Sequence, residues 1–151
     1  MTTTAPASET QTFTVTEEIN VSASVEQTFD SLVANMGRLN EAPDGTALPM
    51  VLEPHPGGRW YRDLGGDNGH LWGFVQSIKR PALLEIWGPL FMSTAATSNL
   101  LYRLTETPEG TLITFTHTVV GPFPDDNRPR LASGWAALHA RVRKAAEAAA
   151  R

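Results

Sequence analysis

His117 has the strongest claim to chemistry in this chain. It lies in the run TLITFTHTVV, where Ile113, Phe115, His117 and Val119 fall on one face of a strand and Thr114, Thr116 and Thr118 on the other. The apolar set predicts the inward face, and His117 goes with it. An inward imidazole can bind or polarise a ligand, or act as a general base near neutral pH. It can equally be a core histidine bonded to its neighbours. His70 opens the run HLWGFV, in which His70, Trp72 and Phe74 share one face and Leu71, Gly73 and Val75 the other. Both faces carry apolar bulk, so alternation alone leaves the inward face open. Gly73 inside a strand suggests a bend or a close approach. Trp60 and Arg62 share a face in the preceding run. An inward Arg62 would pair with an anionic ligand group, and an outward one would be solvated.

Other chemistries find little support. Glu53, His55, Asp63 and His70 lie near one another in sequence but have no recognised metal-ligand spacing, so no metal or other cofactor is expected. Ser93 and Ser98 sit in no GxSxG elbow. PHPGG and LGGDNG pair glycines without a phosphate-loop pattern and read as hairpin turns. The 151 residues include no cysteine, which removes disulfides, thiolate sites and cysteine nucleophiles and suits a reducing, cytoplasmic setting. The formal charge is -4, with 16 acidic and 12 basic residues, and no basic face suggests nucleic acid. No apolar run approaches the ~20 residues of a membrane span, and MTTTAPASETQT lacks the features of a secretory signal. The C-terminal cations Arg141, Arg143, Lys144 and Arg151 alternate with Ala and Glu147 and read as a solvated helix face.

The elements that must position these residues can be read from periodicity. Residues 1–11 are rich in Thr, Ser and Ala and predict a disordered lead, and 12–151 form one domain. Phe13, Val15, Ile19 and Val21 alternate as in a strand. Ser22 or Ser24 offers an N-cap for a short helix carrying Val25, Phe29, Leu32, Val33 and Met36, with Gly37 as its stop. Turn formers fill Asn40 to Pro49. About six short strands then run from Met50 to Gly121, with Asp67, Asn68 and Gly69 suited to positive φ in one turn. Leu131, Trp135, Leu138, Val142 and Ala146 recur at three- and four-residue steps and mark a long amphipathic helix, just downstream of Asp125 and Asp126. His139 beside Leu138 could face the sheet or its edge, or be an ordinary helix residue. The order of elements is a strand, a short helical region, about six strands in one antiparallel meander and a long helix that must cover the sheet, which makes the fold class α+β.

INVSASVEQTFDSL, PGGRW, GFVQSIKRPALLEIW, GTLITFTHTVVG and the Gly134–Trp135 pair, in that order, span about residues 13 to 145. This ordered set resembles the SRPBCC (START-like, helix-grip) superfamily, and within it the heat-shock-protein-90 ATPase activator-like (AHSA-type) branch. The resemblance implies the helix-grip fold, a curved antiparallel sheet of about seven strands wrapped around the long C-terminal helix, with one or two short helices after the first strand and a cavity between sheet and helix. Many such relatives carry a Trp soon after the first helix, where this chain has Met36-Gly37-Arg38-Leu39. The fold hosts carriers, enzymes and co-chaperone modules alike. The expected function is binding of a small hydrophobic or amphipathic molecule, with Trp135, His117, Phe115, Leu138, Trp72, Phe74, Trp60 and Arg62 as candidate ligand-binding residues. A cyclase, hydratase or hydrolase built around His117 is the first alternative, and a chaperone- or regulator-associated interaction module the second. A homodimer through a sheet edge or the last helix is compatible with the chain, but no sequence feature selects it.

Overall fold

A computed structural model describes residues 10–123 and 127–151. The expected lead at residues 1–11 therefore lies outside the described residues except for Thr10 and Gln11, as do Asp125 and Asp126. Gln11 already belongs to the first strand, β1 (Gln11–Val21). Ser24 then caps α1 (Val25–Met36) with a complete capping box: its Oγ accepts from the Gln27 amide at 3.1 Å, and the Gln27 Oε1 accepts from the Ser24 amide at 3.3 Å. The apolar stripe of α1 buries Phe29, Leu32 and Met36, and Gly37 ends the helix. Among the described residues no second short helix follows. Its place is taken by a loop closed by a bridge between Glu41 and Ala47.

Six strands complete the sheet: β2 (Val51–Leu52), β3 (Arg59–Gly65), β4 (Asn68–Lys79), β5 (Leu83–Gly88), β6 (Thr97–Thr107) and β7 (Gly110–Gly121). All neighbours are antiparallel, in the order β1-β7-β6-β5-β4-β3-β2. The meander is thus extended by β1 on β7, which pairs the start of the chain with the last strand. The helix α2 (Asn127–Ala149) lays its apolar stripe on this curved sheet and buries Leu131, Trp135, Leu138, Val142 and Ala146. Its link to α1 includes the Ser31 hydroxyl, which donates to the Val142 carbonyl at 2.7 Å.

Two irregularities shape the open end. The turn between β3 and β4 takes positive φ at Gly65, Gly66 and Asp67, as expected for Asp67, whereas Asn68 and Gly69 already belong to β4. Further along, Trp60 pairs with Gly73 and Tyr61 with Leu71, so Trp72 is an extra residue without a partner on β3. Such a bulge reverses the alternation beyond it. Val75 is consequently in the core, while Phe74 packs its ring 5.4 Å from Trp87, which is 47% exposed on the outer face. The grouping of Phe74 with Trp72 on one face is corrected by this bulge. Gly73 serves close approach of the next strand: a Cβ there would lie 2.6 Å from the Trp87 carbonyl oxygen.

Candidate ligand-binding cavity

Between the sheet, α2 and two loops lies a cavity of about 500 Å³. Its apolar wall is built from Trp60 of β3, Trp72 at the bulge of β4, and Leu131, Trp135 and Leu138 of α2. Leu48 of the 40–48 loop and Phe91 and Met92 of the β5–β6 connection close it. The connection is held in place by the Leu90 amide, which donates to the Trp72 carbonyl at 2.8 Å. A string of rings runs around the wall. Trp60 and Trp72 meet edge-on at 5.0 Å, Trp72 and Phe91 at 5.5 Å, and Phe91 lies 6.3 Å from Trp135.

The indole N–H groups of all three wall tryptophans are already engaged. Trp60 donates to the Met36 carbonyl at 2.8 Å, Trp72 to His70 Nδ1 at 3.2 Å, and Trp135 to His117 Nδ1 at 2.9 Å. What remains for the cavity is ring surface, with apolar contact its main offer. The polar lining residues are Asn40 and Glu41 on one loop, Ser93 and Thr94 on the other, and Arg130 and Arg141 on α2.

The structure brings together four of the eight sequence-derived candidates, Trp60, Trp72, Trp135 and Leu138, in one wall. Phe115 and His117 stand one layer behind Trp135. Phe115 lies 5.1 Å from that ring, and His117 is 0% exposed. Arg62 is half-buried on β3 outside the cavity lining, and its Nη1 is buried without a hydrogen-bond partner. Phe74 is on the other side of the sheet.

His117 is held by its partners in a single protonation state. Its Nδ1 accepts from Trp135, so its proton is on Nε2, which donates to the Ser98 hydroxyl at 2.9 Å. Burial lowers its pKa to about 4, so it is neutral at physiological pH. With both nitrogens used and no place in the cavity wall, it is a buried connector between β7, β6 and α2, and a general base needs a lone pair that it does not have to spare.

The structure decides two residues that the sequence reads as solvated or leaves open. His139 is 1% exposed; its Nδ1–H donates to Glu17 Oε1 at 2.5 Å, and its Nε2 accepts from the Tyr102 hydroxyl at 2.8 Å. Burial lowers its pKa, against a smaller opposing pull from the Glu17 hydrogen bond, and burial raises that of Tyr102 well above the usual phenol value. Arg141 lines the cavity, whereas Arg143, Lys144 and Arg151 are exposed as expected. The spacing Gly134, Leu138, Arg141 follows the helix stripe and is the signal in the sequence that places Arg141 with the cavity. The cavity residues 40–48 and 91–94 carried no signal, since loops have no period. Glu53 is occupied by Arg59 at 2.8 and 3.0 Å, and among the described residues no group of His, Asp and Glu is arranged to hold a metal ion. No described helix is long and apolar enough to cross a membrane.

No family model and no curated protein matches the sequence. Solved structures match along nearly the whole chain. A protein of unknown function, SA2116 from Staphylococcus aureus, superposes with a TM-score of 0.68 at 13% identity, covering 93% of this chain and 97% of that one. Ara h 8.0201 gives 0.66 at 13% identity, covering 91% and 99%. The di-domain ARO/CYC StfQ from the steffimycin biosynthetic pathway gives 0.66 at 12% identity, covering 92% of this chain and 52% of that one. The seven-stranded curved sheet, the helix it grips and these neighbours together establish that the chain has an α+β helix-grip fold.

Proposed function

We propose that the protein binds a small, predominantly apolar molecule in the cavity between sheet and α2. The observation that carries this is the aromatic wall of Trp60, Trp72, Phe91 and Trp135 around about 500 Å³ of space, within the roughly 300–1,000 Å³ of small-molecule sites. Engaged indole N–H groups leave the wall apolar, and the polar lining residues supply orientation. The fold neighbours support a ligand-binding use, since one of them is the di-domain ARO/CYC StfQ of a biosynthetic pathway. An enzymatic reading through His117 loses its support, because that imidazole is sealed behind Trp135. The AHSA-type placement rests on the ordered motifs, and the cysteine-free composition supports a cytoplasmic setting.

Native mass spectrometry of the purified protein, followed by denaturing extraction, tests the reading. A reproducible extra mass that is lost on unfolding is the expected result. The companion measurement is titration with the neutral probe N-phenyl-1-naphthylamine, read by energy transfer from the wall tryptophans. A clean apo mass together with no saturable probe binding would sink the proposal.

A further inference from the structure

We propose that the cavity selects a ligand with an apolar body and a terminal carboxylate, and that Arg141 is the residue that reads the carboxylate. This rests on the cavity being a binding site and names the ligand class it takes. Arg141 lies one turn beyond Leu138 on α2 and lines the cavity with it. Its side chain is only 21% exposed. One Nη2 hydrogen bond, 3.1 Å to the Glu41 carbonyl, anchors the guanidinium to the 40–48 loop. The Nε is buried and has no hydrogen-bond partner. The Glu41 carboxylate comes no closer to it than 3.6 Å, a distance that gives Coulomb attraction without a hydrogen bond.

The buried Nε stays with Glu41; a planar carboxylate in the cavity is the group whose geometry best matches the guanidinium's remaining donors. The lining residues carry two cations, Arg130 and Arg141, against the single carboxylate of Glu41, so an added negative charge completes the balance. Below the guanidinium, Leu138 and Trp135 continue the wall in purely apolar surface. The arrangement therefore offers a cation at one place in the lining and hydrocarbon contact elsewhere, the complement of an anionic amphiphile. Glu41 is the internal competitor: it neutralises Arg141 partly when the cavity holds no acid.

The test compares three probes of equal chain length at neutral pH: decanoate, decanol and decyltrimethylammonium, each titrated by tryptophan fluorescence against the wild type, Arg141→Gln and Glu41→Gln. Decanoate is expected to bind at least about tenfold more tightly than decanol, and the ammonium probe most weakly, as one hydrogen-bonded charge pair implies. Arg141→Gln should remove the preference for decanoate over decanol. Glu41→Gln should tighten decanoate by a few-fold by removing the competitor. Equal affinity for decanoate and decanol in the wild type overturns the carboxylate assignment while leaving the cavity reading standing. So does a preference that survives Arg141→Gln. Binding of none of the three overturns the ligand class proposed here, while the cavity reading stands or falls on the N-phenyl-1-naphthylamine titration.

Discussion

The two ends of the sheet–α2 interface are built in opposite ways. At one end Phe115, Tyr102, His139, Val142 and Ala146 fill the space between strand and helix, with Phe115 and Tyr102 at 4.8 Å and Phe115 and His139 at 4.5 Å. At the other, Trp60, Trp72, Leu138 and Trp135 stand around a void. Trp135 is the divider: one side of it is packed on Phe115 and His117, and the other faces the cavity. The filled end also contains two buried polar chains, Trp135–His117–Ser98 and Tyr102–His139–Glu17, in which each imidazole nitrogen has a partner. Fully satisfied networks of this kind fix side-chain positions in a low-dielectric interior. The contrast teaches that the helix is held by one half of its stripe, which frees the other half to line a site.

If that division is right, the largest loss should come from emptying the filled end. Phe115→Ala is expected to cost about 3–5 kcal/mol in urea denaturation, and Leu138→Ala at the hollow end only about 2, since part of its environment is already empty. Equal costs would break the comparison. Acid comes next. His117 has a folded pKa of about 4 against 6.5 in the unfolded chain. Unfolding therefore binds a proton between these values, and stability falls as pH drops from about 6.5 to about 4, by about 3 kcal/mol for this group alone. His139 is shifted in the same direction and adds to the loss. Denaturation midpoints measured across that range in wild type and His117→Gln would show the dependence and its reduction. A flat wild-type profile would contradict the sealed histidine.

Smaller effects sharpen the picture. Tyr102→Phe leaves the His139 Nε2 without its donor and should cost about 2 kcal/mol with probe affinity unchanged. A change in affinity of more than a few-fold would mean that the polar chain supports the cavity after all. Phe74→Ala, on the outer face against Trp87, should cost about 1 kcal/mol or less and leave binding untouched. A binding defect there would place the ligand on the wrong side of the sheet.

Much of the architecture was legible in the residues. Alternation along Phe13 to Val21 and along Leu112 to Val120 marked strands with one buried face, and the stripe from Leu131 to Ala146 marked the helix and its orientation. These are periodic signals, set by backbone geometry that every residue shares. Trp135 and Leu138 followed from the same stripe. His117 was correctly turned inward by its parity, but parity says nothing about what an imidazole touches once inside.

The rest was decided by tertiary structure, for a common reason: each case depends on atoms distant in sequence. One unpaired residue, Trp72, reverses the alternation of β4 and sends Phe74 outward, and only the pairing partner on β3 reveals it. Glu17 and Tyr102 lie 122 and 37 residues from His139, and they supply the hydrogen bonds that occupy both of its ring nitrogens. Arg141 becomes part of a cavity because Glu41, 100 residues away, folds across to meet it. The chain by itself determined which elements form and which faces they bury, because those are local periodicities; where space is left between them, and which charge lines it, emerged only when the elements packed.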